Sequence, residues 1–133
     1  MQSYELYGSV QNVLSAWARW RWENHGADIG YPKQCPFRRL MLVEGEANLP
    51  AALMDDELAL GVDRAVGALK VRSQSRPGDH RWVVIMDSYL GGYLDRQIAY
   101  HHRISRSTVR TARIAGENWI EGKLLTEPVL TRK

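Results

Sequence analysis

The helical spacing of the apolar residues is the strongest constraint on what this chain can fold into. Val10, Val13, Leu14, Trp17 and Trp20 fall at i, i+3, i+4, i+7 and i+10, while Arg19, Arg21 and Glu23 lie off that stripe. A helical period places such a set on one face of a helix, whereas a strand would divide it between two faces. Ser9 is placed to cap this first helix and Gly26 to stop it. The WARWRW string would also suit a membrane-surface helix or a base-stacking peptide. Aromatics at helical spacing pack inward by default, so Trp17 and Trp20 are predicted core residues and Trp22 is predicted at the edge.

The same period returns three more times. Leu58, Val62, Ala65, Val66 and Leu69 form the apolar face of a second helix starting at Asp55 or Asp56, with acids in its first turn and Lys70 and Arg72 at its end, as the helix dipole prefers. Trp82, Ile85, Met86 and Tyr89 share one face of a third helix, capped by Asp79 and ended by Gly91-Gly92. A short fourth helix is predicted from Arg96 to about His102 with Asp95 as its cap. A fifth runs from Ser105 towards Leu125, with Val109, Ala112, Trp119, Ile120 and Leu124 inward. Residues 26–40 (GADIGYPKQCPFRRL) have no period and read as an irregular loop, and 41–54 favour no element. Residues 71–79 (VRSQSRPGD) are the one convincing linker, and the tail from Thr126 is expected to fray. No segment alternates as a strand would. The expected fold is all-α, about five helices in one compact domain, with a part at 1–76, a second at 77–125 and a tail at 126–133.

Composition excludes several classes. At 133 residues, 44% of them apolar and 25% charged, the chain is an ordinary globular domain. The lone Cys35 rules out an internal disulfide framework and a thiolate metal cage, which fits a reducing cytoplasm. No apolar run approaches a membrane span, and the start MQSYELYGSVQN has neither the basic nor the apolar region of a secretion signal. The net charge of +3 is unevenly spread: residues 1–80 hold 9 Lys/Arg against 10 Asp/Glu, and residues 81–133 hold 9 against 5. An excess of arginine in the second half points to an anionic partner there.

Residues 97–114 (QIAYHHRISRSTVRTARI) have the layout of a helix-turn-helix. Ile98 and Ala99 provide the apolar and small residues that let the second helix cross the first closely. Ile104 is the apolar residue after the turn, Ser105 caps the next helix, and Val109 and Ala112 face inward. The turn departs from the common pattern in carrying Arg103 where glycine is usual and His102 where an apolar residue is usual. The second helix would present Arg106, Ser107, Thr108, Arg110, Thr111 and Arg113 outward. Arg96 and Arg103 flank it, and from Arg96 to Gly116 there are five arginines and no acid. In such a motif the first residues of the second helix meet base edges in the major groove and the flanks hold phosphates. On that basis Arg106 and Arg110 are expected to read bases and Arg96 to hold a phosphate.

Nothing else in the chain carries chemistry. His101 and His102 are adjacent and diverge on a helix, so they cannot share a metal. Asp55, Asp56 and Glu57 are first-turn acids rather than a magnesium site. Cys35 has no partner that would make it a nucleophile, and no glycine-rich phosphate loop is present. No enzymatic activity, metal or cofactor is expected.

Taken in order, VLSAWARWRWENHG, the GYP and PFRRLM segments, DDELALGVDRAV, WVVIMDSYLGGYLDRQIAYHHRISRSTVR and IAGENWIEGKL resemble the small Q-type late-gene antitermination proteins of lambdoid phages, the phage 21 class. The resemblance spans about residues 10–125; its last part also resembles the final DNA-binding region of sigma factors. It implies a factor acting in the host bacterial cytoplasm that recognises double-stranded DNA at a late promoter, with two copies on a tandem element. It further implies loading onto paused bacterial RNA polymerase while sigma is attached, and a collar around the RNA exit channel through which nascent RNA passes. The recognition helix would correspond to Arg106, Ser107, Thr108, Arg110, Thr111 and Arg113. Trp22, Arg38 and Arg39 would touch polymerase or the second protomer. The chain carries no cysteine-rich insert, so it does not resemble the zinc-containing Q proteins. A conventional helix-turn-helix repressor, activator or sigma-like factor is the alternative reading.

Overall fold

The computed structural model describes residues 7–25 and 54–126. They form five helices and no strand: α1 (Val10–His25), α2 (Asp56–Gln74), α3 (Arg81–Ile85, continued by a π-helical turn at Met86–Leu90), α4 (Asp95–His102) and α5 (Arg106–Thr126). Ser9 Oγ accepts the Asn12 N–H at 3.2 Å, so α1 starts at its predicted cap; Asp55 Oδ1 accepts the Leu58 N–H at 2.9 Å, which makes Asp55 the cap of α2 and Asp56 its first residue, within the expected start. Among the described residues no helix is long and apolar enough to cross a membrane. The predicted loop at 26–40 and the segment 41–53 lie outside the described residues.

Two apolar clusters hold the helices together. The larger joins Val13, Leu14 and Trp17 of α1, Leu58, Val62 and Leu69 of α2, Ile85 and Leu90, and Ile120 and Leu124 of α5. The smaller joins Val84 to Ile98, Ala99, Val109 and Ala112, with Ile104 packed against it. The third helix feeds both clusters and is buried on more than one side, so its apolar residues fill a sequence run (WVVIM) rather than one stripe. Its crossing with α5 is close: a Cβ on Gly116 would sit 2.8 Å from Ile85 Cγ1. Glycine fits there because the Ile85 side chain already fills the space a Cβ would take.

The structure departs from the sequence pattern at several points. Trp22, predicted at an edge and as a partner contact, is 7% exposed, and its indole N–H donates to the Leu90 carbonyl at 2.8 Å. Its place in the core follows from the π-turn, which swings Leu90 against α1. Residues 71–74 belong to α2, so the linker shrinks to a corner around Pro77 and Gly78. Finally, α4 starts one residue early, with Leu94 as N-cap and its N–H held by Gln97 Oε1 at 2.8 Å. Asp95 is therefore not the cap, and its carboxylate is drawn across to Arg113.

The corner before α3 is fixed by charge. Asp79, expected to cap α3, stands one residue before its N-cap His80; it accepts the Arg81 backbone N–H at 3.0 Å and grips the guanidinium with both oxygens, Nη2 to Oδ2 at 2.7 Å. That hydrogen bond holds the Asp79 carboxyl far below the usual carboxylate range. Because the folded pKa is depressed, the pair stabilises at every pH above the unfolded value and loses its effect as acid protonates the folded carboxylate. Arg81→Met should therefore cost about 1 kcal/mol at neutral pH, and the deficit should shrink only below about pH 4. Urea unfolding of both proteins at pH 7, 5 and 3 checks this.

Candidate nucleic-acid interface

Between α4 and α5 the chain turns through Arg103, whose φ of 60° and ψ of 45° are left-handed. It is the one non-glycine residue with positive φ among the described residues. The Arg103 N–H donates to the Tyr100 carbonyl at 3.4 Å and the Ile104 N–H to the Ala99 carbonyl at 3.0 Å. This pair of bonds is a Schellman closure, and Ile104 packs with Ala99 in the smaller cluster beneath it. The position where glycine is usual therefore has the conformation that usually calls for glycine, and an arginine tolerates it. Arg103→Gly should raise stability by about 0.5–1 kcal/mol by removing that strain, read as a higher urea midpoint.

Ser105 then starts α5 as predicted: its Oγ accepts the Thr108 N–H at 3.0 Å. Its hydroxyl also lies 2.8 Å from Thr108 Oγ1, so Thr108 is committed to the cap and half-buried. Val109 and Ala112 are buried against α3 and α4. With helical residues advancing about 100° each, Val109 pointing inward leaves Ser107 and Thr111 outward, Arg110 beside them, and Arg106 and Arg113 turned towards α4. Arg106, Ser107, Arg110 and Thr111 are exposed, as are Arg96 and Arg103.

Arg113 differs from the other arginines of α4 and α5. It is half-buried and ion-paired with Asp95, whose hydrogen bond raises its pKa further. It braces α5 against the start of α4, and α4 is tied again at its other end, where His102 Nε2 lies 2.7 Å from Asp87 Oδ2. Ile114 was not singled out from the sequence, yet it is 49% exposed and lies on the face of Ser107 and Thr111. Its signal was the spacing from Ser107 and Thr111, seven and three residues on, which an arginine-centred reading passes over. Tyr100 on α4 is 87% exposed and sits between Arg96 and Arg103 in sequence. Arg38 and Arg39 lie outside the described residues, and Trp22 lies in the core rather than near this surface.

Two shallow grooves flank α5. One, about 720 Å³, is lined by Arg96, Arg106, Arg110, Arg113 and Asp95 over a floor that includes Ser88. The other, about 350 Å³, runs along Ser107, Thr108 and Thr111 beside His80 and the Asp79–Arg81 pair. Among the described residues no group of three or more His, Cys, Asp or Glu side chains could hold a metal ion.

Fold and site together define a small helical protein that displays a basic, hydroxyl-rich helix face braced from behind by ion pairs. The sequence model of the family described as phage antitermination protein Q matches residues 7–131. The chain belongs to that family, and its role is transcription antitermination in a bacteriophage. No curated protein and no solved structure matches the chain.

Proposed function

We propose that α4, the Arg103 turn and α5 form a helix-turn-helix of the kind that ends sigma factors, and that it recognises duplex DNA beside a phage late promoter. The observation that carries this reading is the left-handed closure at Arg103, followed directly by a capped helix whose exposed face carries Ser107, Arg110 and Thr111 and no acid. Helices in that relation place the start of the second in the major groove. Arg110 suits guanine, hydroxyls suit either strand, and Ile114 offers an apolar contact to a thymine methyl.

In this reading the protein acts without catalysis, metal or cofactor in the host bacterial cytoplasm. Bound to its element, in two copies on a tandem site, it loads onto bacterial RNA polymerase paused downstream with sigma attached. It then travels with the enzyme around the RNA exit channel, where it disfavours pausing and terminator hairpins while nascent RNA passes through. Family membership supports the antitermination half of this account, and the α5 face supports the DNA half. A conventional promoter-bound regulator would use the same α5 face but would leave termination unchanged.

The test is transcription from the phage late promoter across a strong intrinsic terminator, with host polymerase, with and without the protein. Read-through that needs the promoter-proximal DNA is the expected result. A specific footprint without read-through would leave the regulator. Arg110→Ala should weaken binding to the late-promoter fragment by about 1–3 kcal/mol and lower read-through in step.

A further inference from the structure

The larger groove beside α5 is built from four arginines that play different parts. Arg113 is held by Asp95, so it shapes the groove and is largely neutralised. Arg96, in the first turn of α4, and Arg106, in the first turn of α5, are exposed and line the same concavity from two different helices. Arg106 turns sideways towards α4 instead of outward with Ser107 and Thr111, which removes it from the face that would meet base edges. The groove on the other flank lacks this character, because its arginine, Arg81, is gripped by both oxygens of Asp79. An α-helix with its side chains fills the major groove, so backbone phosphates of the two strands lie along its two flanks.

We infer that the α4–α5 groove is a phosphodiester seat: Arg96 and Arg106 clasp one backbone phosphate of a single strand, and Asp95 limits how tightly it is held. This rests on the DNA-binding reading above and divides its arginines by task. Arg96 and Arg106 hold phosphate without reading sequence, Arg110 reads, and Arg113 positions. Two guanidiniums brought to one groove by two helices match the several oxygens of one phosphate. Asp95 faces the same space with a negative charge, which repels the phosphate while it anchors Arg113. The salt sensitivity of binding therefore comes chiefly from one flank of α5.

The probe is a random-sequence duplex, since phosphate contacts act on any sequence. A second duplex carries the late-promoter fragment. Arg96→Ala and Arg106→Ala should each weaken binding to the random duplex and reduce the slope of log affinity against log salt by about one. Arg110→Ala should weaken the promoter fragment while leaving the slope on random duplex nearly intact. Asp95→Asn should tighten binding to both duplexes, by about fivefold at low salt, because it removes a like charge beside the phosphate. Arg64→Ala, an exposed arginine on α2, should leave the slope unchanged. Thermal unfolding of each variant confirms that the fold persists, as expected for Arg96 and Arg106, which are exposed.

Loss of promoter discrimination in Arg106→Ala with an unchanged random-duplex slope would overturn the assignment and make Arg106 a base reader. An equal fall in slope for Arg64→Ala would overturn it too, reducing the effect to bulk charge. Failure of the unaltered protein to bind either duplex would instead remove the DNA-binding reading, and this proposal with it.

Discussion

Trp22→Ala should lose about 3–5 kcal/mol of unfolding free energy, the range for truncating a buried large aromatic. The ring is 7% exposed within the main core, and its N–H donates to Leu90 across the α1–π-turn contact. Removing it opens a cavity between α1 and the π-turn, which pack against each other in the main core. Trp22→Phe keeps most of the ring and loses the hydrogen bond, so it should cost about 1 kcal/mol from that bond plus a smaller packing deficit. Urea unfolding separates these outcomes. A partner-facing Trp22 would give the opposite pattern: an unchanged midpoint in both variants and a defect only in transcription assays. Near-native stability of Trp22→Ala would return the residue to the surface.

Periodicity made most of the fold legible. The stripes in α1 and α2 and the caps at Ser9, Asp55 and Ser105 are local, and each is closed by atoms within a few residues of it. The departures have non-local causes. The helical position of Trp22 lies off the α1 stripe and predicts an edge, but the π-turn brings Leu90 to that side of the helix. A π-turn has no sequence period of its own to announce it. Val84 and Leu90 are fully buried because α3 is packed from two sides, and a single-face search does not register a helix of that kind. Asp95 has the chemistry of a cap, and only the arrival of Arg113 from α5 shows why Leu94 takes that place instead.

At the candidate interface the same division holds. The turn and the exposed residues of α5 follow from the order of apolar, small and polar side chains. The tasks of its arginines do not, because a string of arginines carries no record of which one meets an acid. Arg113 is separated from Arg106 and Arg110 by the position of Asp95, 18 residues earlier in the chain.

Glu117 is the acid whose removal should matter most. It lies on α5 one turn beyond Arg113, is 5% exposed, and was not marked as inward by periodicity. Tyr89 donates its hydroxyl hydrogen to Glu117 Oε2 at 2.7 Å, and the Gln11 side-chain amide donates to Oε1 at 3.0 Å. One carboxylate thus joins α1, the π-turn and the helix that carries the proposed DNA face. Burial first, and then the bond to Glu117, push the Tyr89 phenol well above its ordinary pKa, so it stays a donor across the working range. Glu117→Leu strands the buried Tyr89 hydroxyl and should cost about 2–4 kcal/mol. Tyr89→Phe removes a donor from a buried carboxylate and should cost about 1.5–3 kcal/mol. The double variant should cost clearly less than the sum, because an apolar pair leaves no polar group unmet, and the cycle should return a coupling of about 1–3 kcal/mol. Additive losses would mean that the two side chains contribute separately, by packing alone, and that the carboxylate does not set the angle at which α5 leaves the core.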